Sequence, residues 1–298
     1  MKNLFRLGLG AMVALTLIST GSRGKTDEGP PAMLPSAAQF EVISTPEAIK
    51  DVALRGSPIA IWETLEKGEV GECLDCIAYV EPLLFDKDAH VREISAWWIR
   101  RRVFGYAEVA LRVRGVLASD ADPVRRAAAA NALGEFMDPG GTKLLVTAIE
   151  KDTSPLVRAA AVAGLRRLND IEGGPGVTTA LGDTDPAVRR AAVEAATRLA
   201  GFGDVPSVAK LLSDPDLVVR AKAADALGFF KSKGAIAGLS ALGIKDGNED
   251  VRIAAINALG EIGDPAARSI LEQAQANDTS SLVRDAARIA LLKLALSA

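Results

Sequence analysis

The chain of 298 residues has one histidine, two cysteines and aromatics at only 4 % of its positions. Each scarcity excludes a class of function. A metal centre draws on several good ligands at characteristic spacings, and the lone His90 supplies none of those spacings. Cys73 and Cys76 form a C-x-x-C unit that would need two further Cys or His ligands to hold zinc. Ile77 follows the pair where covalent haem attachment requires a histidine. An excess of basic residues is also missing. Lys and Arg number 35 against 38 Asp and Glu, a net charge of −3, so the chain lacks the general basic footprint of a nucleic-acid binder.

What is present is a rhythm. Val-Arg falls at Val91-Arg92, Val124-Arg125, Val157-Arg158, Val188-Arg189, Val219-Arg220, Val251-Arg252 and Val283-Arg284. The surrounding text repeats an acidic or turn residue, often Pro, then Val-Arg, a run of Ala and Leu-Gly. A fixed period of this length marks a stack of repeated units, each too small to bury its own apolar face. Asp122-Pro123 offers an N-cap acceptor before a proline at the first helical position. Val124, Ala128 and Ala132 then follow at spacing four as a helical stripe, Gly134 loosens the helix end, and Asp138-Pro139 starts a second helix. Asp185-Pro186, Asp214-Pro215 and Asn248-Glu249-Asp250 open later helices in the same way. The expectation is an all-α, right-handed α-solenoid of stacked antiparallel helix pairs. The hydrophobic fraction of 49 % with so few aromatics implies small side chains and closely approaching helices.

The first residues differ in kind. Lys2 and Arg6 precede a short apolar stretch from Leu7 to Ile18, and Ser19 to Ser22 are small residues suited to signal-peptidase cleavage. That stretch is shorter than the ~20 residues a spanning helix needs. Residues 1–22 therefore read as a signal peptide and 23–44 as a flexible linker rich in Gly, Pro, Ser and charge. Residues 45–86 read as a divergent N-terminal helical cap, and 87–298 as the repeat array. The implied location is the periplasm or the exterior of a bacterial cell. In such an oxidising compartment Cys73 and Cys76 form a local disulfide; a thioredoxin-like redox pair is the alternative.

The pattern D-x-D-P-x-V-R-x-A-A-x-A-L-G resembles the HEAT repeat, in the short Ala-rich form of the phycobilisome lyases, over about residues 72 to 298. The resemblance implies that an Asp before the second helix and the Arg of Val-Arg form a stacked polar ladder. Carried over to this chain, Asp122, Asp185, Asp214 and Asp250 with Arg125, Arg189, Arg220 and Arg252 are structural. The di-iron deoxyhypusine hydroxylases are HEAT-like enzymes with paired His-Glu motifs, and this chain has no His-Glu pair.

One stretch departs from the repeat. All three Trp (Trp62, Trp97, Trp98) and both Tyr (Tyr79, Tyr106) lie between residues 62 and 106, and residues 90–114 carry six Arg against Glu93 and Glu108. Trp97, Arg100, Arg101 and Phe104 share a helical stripe, and Trp beside Arg is a pairing common at binding hot spots. These four are the candidate partner-binding residues, with bulky capping of the stack as the structural alternative. The expected function is an exported, non-enzymatic scaffold for protein–protein interaction. It needs no cofactor, has a protein partner, and touches neither nucleic acid nor membrane beyond the export signal. A phycobilin-lyase-like or other chromophore-handling enzyme on the same repeats is the alternative.

Overall fold

A computed structural model describes residues 45–69 and 73–296, and sixteen α-helices are found among them. The proposed signal peptide and linker lie outside the described residues. At the N-terminal end α1 (Pro46–Arg55), α2 (Pro58–Lys67), α3 (Leu74–Val80) and a 3₁₀ turn (Glu81–Phe85) precede the regular array. The array then runs as pairs: α4 (Ala89–Arg100) with α5 (Tyr106–Ser119), α6 (Pro123–Phe136) with α7 (Thr142–Lys151), and α8 (Pro155–Leu168) with α9 (Gly174–Leu181). They continue as α10 (Pro186–Ala196) with α11 (Val205–Lys210), α12 (Leu217–Phe229) with α13 (Ile236–Lys245), and α14 (Glu249–Ile262) with α15 (Arg268–Asn277), ending on α16 (Ser281–Leu296).

Each even-numbered helix from α4 to α16 packs on its even-numbered neighbours, and the odd-numbered helices form a second layer behind them. The starts at Asp122-Pro123, Asp185-Pro186 and Asn248 form as the sequence suggests, whereas Asp214-Pro215 lies ahead of its helix and Asp216 is the cap there. Asp88, Asp122, Asp185, Asp216 and Asn248 accept backbone N–H groups at the starts of α4, α6, α10, α12 and α14, each cap worth about 1 kcal/mol. Val91, Val157, Val188, Val219, Val251 and Val283 are fully buried, and with the alanine runs and leucines they build one continuous core along the stack.

Small residues set the spacing of the even-numbered layer. A Cβ on Gly134 would stand 2.7 Å from the Cα of Gly164, and one on Gly164 would stand 2.7 Å from the Ala130 carbonyl oxygen. Gly134 therefore does not loosen the end of α6. The helix runs through it to Phe136, and the missing side chain lets α8 approach. Asp138-Pro139 begins only a short 3₁₀ turn, Pro139–Gly141, before α7 starts at Thr142. The Val-Arg helices are thus the more closely spaced of the two layers, and are called the inner layer.

The polar ladder exists, with different members. Arg126, Arg158, Arg189, Arg220 and Arg252 each donate Nε and Nη2 to both carboxylate oxygens of Asp152, Asp183, Asp214, Asp246 and Asp278, at 2.6–3.1 Å. Each Arg also turns Nη1 onto backbone carbonyls of its own turn. Arg189, for example, reaches those of Asp183 and Thr184 at 2.8 and 3.0 Å. Of the acids the family resemblance suggested, only Asp214 is in the ladder. Asp122 and Asp185 cap helices, and Asp250 sits exposed in the first turn of α14 behind the Asn248 cap. The second Val-Arg is one residue out of register. Arg126 takes the ladder position there, Val124 is 60 % exposed, and Arg125 occupies the place of the buried valine. Arg125 covers the Phe85 ring at 4.4 Å and pairs with Asp120 at 2.8 Å.

The hydrogen bonds from Arg126 hold the Asp152 carboxyl below its ordinary range, and those from Arg252 do the same for Asp278. The folded chain thus binds protons at these sites less readily than the unfolded chain does. Stability is then full above the ordinary carboxyl value of about 3.9 and is lost as pH falls toward the depressed values. Urea midpoints followed from pH 7 to pH 3 should hold steady to about pH 5 and then fall. Asp278→Asn should be weaker at pH 7 and less acid-sensitive; an unchanged acid slope would remove the ladder as the cause. The glycines give a second expectation. Gly164→Ala should destabilise by about 1–3 kcal/mol through overpacking. Gly115→Ala in α5, where nothing lies within 4 Å of the added Cβ, should stabilise by up to about 1 kcal/mol. Thermal melts of the two variants should move in opposite directions.

Candidate functional site

The aromatic and arginine cluster at α4 is built around the segment that follows α2. Trp98 is fully buried and donates Nε1 to the Gly68 carbonyl at 3.3 Å. Arg102, only 1 % exposed, lies over the Trp98 ring at 3.8 Å and donates to the carbonyls of Gly68 and Glu69 at 2.9 and 3.0 Å. Arg101 stacks on Trp97 at 3.8 Å and pairs with Glu69 at 2.5 Å. Arg100 donates to the Glu135 carbonyl at the end of α6, at 3.1 Å. Of the four candidate partner-binding residues, three are thus held by contacts within the chain. Phe104 remains, 67 % exposed beside a more open Val103. Nearby, Cys73 and Cys76 are disulfide-bonded at the start of α3, and His90 meets Trp62 edge-on at 6.5 Å.

The inner face offers more than this cluster. It is crossed by ion pairs between successive inner helices: Glu135 with Arg167, Glu194 with Lys222, and Glu261 with Lys293. Arg167 also donates to Asn131 at 3.2 Å. Burial pushes the Glu135 carboxyl up, against the pull of Arg167. Between α10 and α12 a cavity of about 450 Å³ is lined by Glu194, Arg198, Lys222, Asp225 and Phe229. Phe229 is 65 % exposed and packs edge-on against Phe230 at 5.4 Å. Burial raises the Asp225 carboxyl despite Lys222 nearby. A second cavity, of about 580 Å³, opens between α4, α6 and α8, where Arg92, Asn131, Val124 and Leu156 meet. Sequence reading passed over these grooves because their residues lie in the repeat itself. The available signal was Phe229, at a repeat position that holds Arg101, Glu135, Arg167, Arg198, Glu261 and Lys293 in the other copies; Val124 and Leu156 gave none, since Val218 and Leu282 stand at the same position.

Among the described residues no group of three or more His, Cys, Asp or Glu is placed to hold a metal ion. No helix among them is long and apolar enough to cross a membrane.

Antiparallel helix pairs stacked in register, with an inner layer of Val-Arg helices, define an all-α, right-handed α-solenoid. The HEAT repeats family matches residues 77–166, 142–212 and 205–292, and the chain belongs to that family. No curated protein matches it. Among solved structures, the Escherichia coli protein YibA superposes with a TM-score of 0.57 at 17 % identity, over 90 % of this chain and 99 % of YibA. A chain of the Kap95p–RanGDP complex gives 0.61 at 15 % identity, over 87 % of this chain, which spans only 41 % of that one. The archaeal HEAT-like repeats protein of Thermococcus onnurineus NA1 gives 0.50 at 12 % identity, over 74 % of this chain and 97 % of the archaeal one. At these identities the likeness is one of fold.

The cluster at α4 yields a prediction of its own. Arg102→Ala removes a buried guanidinium, its aromatic stack and two carbonyl bonds, and should lower stability by about 3 kcal/mol. Arg101→Ala breaks a half-exposed ion pair and should cost under about 1 kcal/mol. Denaturant titration separates the two, and equal losses would contradict the structural role assigned to Arg102.

Proposed function

We propose that the chain is a non-enzymatic scaffold that holds a protein partner along its inner helix layer, and that it works outside the cytoplasm, in a periplasm or at the cell exterior. The observation that carries the binding reading is the open inner face. Phe229 projects into a groove flanked by Arg198 and Asp225, an aromatic anchor with both charges at hand, of the kind enriched at binding hot spots. The solenoid form supports it, because stacked repeats present an extended surface of many shallow sites. Kap95p, a structural relative, is a protein that binds RanGDP. Export rests on the basic and apolar pattern of residues 1–22.

Photo-cross-linking residues placed at Phe229 and Leu156 in native cells should trap a partner protein. The same residue at Glu150, on the exposed side of α7, should trap none. Adducts at Glu150 alone, or at no position, would overturn the scaffold reading. Cell fractionation should find the chain outside the cytoplasm and shortened by about 22 residues. A full-length cytoplasmic protein would overturn the export reading alone.

A further inference from the structure

Among the described residues the ladder is interrupted at one step between successive repeats, and that step lies beside a groove; Arg284 ends the ladder in the last helix. Arg92 heads the first inner helix in the position of the ladder arginines. Its Nη1 donates to the carbonyls of Asp86 and Lys87 at 2.6 and 3.0 Å, as the others do in their own turns. In the five intact steps the carboxylate follows its Arg by 25 or 26 residues. After Arg92 the corresponding Asp120 is 28 residues away, because α5 has 14 residues where the other outer helices have 6–10. Asp120 is also occupied, accepting from Arg125 at 2.8 Å and from the Asp122 N–H at 2.9 Å. Among the described residues Nε and Nη2 of Arg92 meet no carboxylate, and neither is a buried atom without a partner. This edge of the guanidinium, which grips an acid five times over in the same fold, is open to solvent at Arg92.

Arg92 lines the 580 Å³ cavity between α4, α6 and α8. Three charged residues line it: Asp86, Lys87 and Arg92, with the Asp86 carboxylate accepting the Asp88 N–H at 2.8 Å. The walls are apolar and small, and Val124 and Leu156 stand 60 % and 52 % exposed on them. A cationic fork on an apolar floor suits a carboxylate presented between apolar side chains.

We propose that this groove binds an acidic segment of a partner protein, with a Glu or Asp carboxylate of that segment accepting paired hydrogen bonds from Nε and Nη2 of Arg92. This deepens the scaffold reading and rests on it. The bound acid completes the missing rung of the ladder, and the bidentate fork selects a planar carboxylate.

The test follows arginine side-chain Nε–Hε resonances of the full chain while a capped twelve-residue peptide of Ala, Leu and Gln with one central Glu is added. The Arg92 signal should move and saturate, the Arg189 signal should stay fixed, and the peptide with Gln in place of Glu should have no effect. Arg92→Lys should weaken binding by about tenfold or more, the worth of a paired charge-assisted contact. Asn131→Asp, which adds a negative charge to the groove wall, should weaken it likewise with an unchanged melting temperature. Binding of the Gln peptide, full affinity in Arg92→Lys, or an equal response to acetate alone would overturn the proposal. In cells, adducts at Leu156 should disappear in Arg92→Lys while those at Phe229 remain. Adducts at Leu156 that persist would refute this site and leave the scaffold standing, whereas loss of adducts at every inner position of the unaltered protein refutes the scaffold itself.

Discussion

The structure depends on one guanidinium used twice. A ladder Arg closes its own turn by gathering two backbone carbonyls on Nη1 and reaches the next repeat with Nε and Nη2. The recipient Asp is itself half of a turn, because its other lone pairs accept the N–H two residues on, as Asp214 does from Asp216 at 2.8 Å. Local turn and inter-repeat contact are thus one hydrogen-bonded unit. The arrangement is strong because the pair is shielded, with the Arg189 and Asp214 side chains only 10 % and 3 % exposed. Removing one partner of such a pair leaves a buried charge without its mate, a loss of about 3–5 kcal/mol. Repeat stability in a solenoid is largely a matter of nearest-neighbour terms, and here that term has a named atom pair at every intact step.

This explains which parts of the fold were readable from the sequence. The period, the helical hairpins and most of the buried valines and capping acids are local, and local rules found them; the exceptions are Val124, which is exposed, and Asp216, which caps α12 in place of Asp214. The identity of the ladder acid is not local to the Val-Arg dipeptide. Asp122 and Asp214 look alike in a D-P context, yet one caps a helix and the other is a rung. The repeat unit that survives every copy is an Asp followed six positions later by an Arg: Asp86 and Arg92, Asp120 and Arg126, Asp152 and Arg158, and so on to Asp278 and Arg284. That spacing places the Arg where its Nη1 can return to the carbonyl of the same Asp. Counted this way the second copy is in register, and the displaced Val124-Arg125 is a coincidence of composition.

The aromatic stretch carries the opposite lesson. Tryptophan and arginine side by side describe a hot spot and a buried cation–π stack equally well, since both exploit a flat ring and a flat cation. What separates them is whether backbone carbonyls lie within reach, and those of Gly68 and Glu69 come from the turn after α2, some thirty residues upstream. Sequence adjacency holds no trace of that approach. Arg102, fully buried, sits beside Arg101, half in solvent, and only the packing of α2 against α4 distinguishes the two.

The inner surface then follows from the division of labour between the ends of the repeat. Ladder charges are confined to the turns at the N-terminal ends of the inner helices, where they bind one another and leave little for a partner. Glycine and alanine draw those helices together and keep their flanks small. An aromatic ring where the other copies carry charged side chains, as at Phe229, therefore stands clear of the surface instead of being absorbed into it. A lengthened outer helix such as α5 has a related effect, moving one acid out of step and freeing one cation. In a stack this uniform, a side chain is left uncommitted mainly where the repeat is broken, because the ladder and glycine positions are already committed to their neighbours.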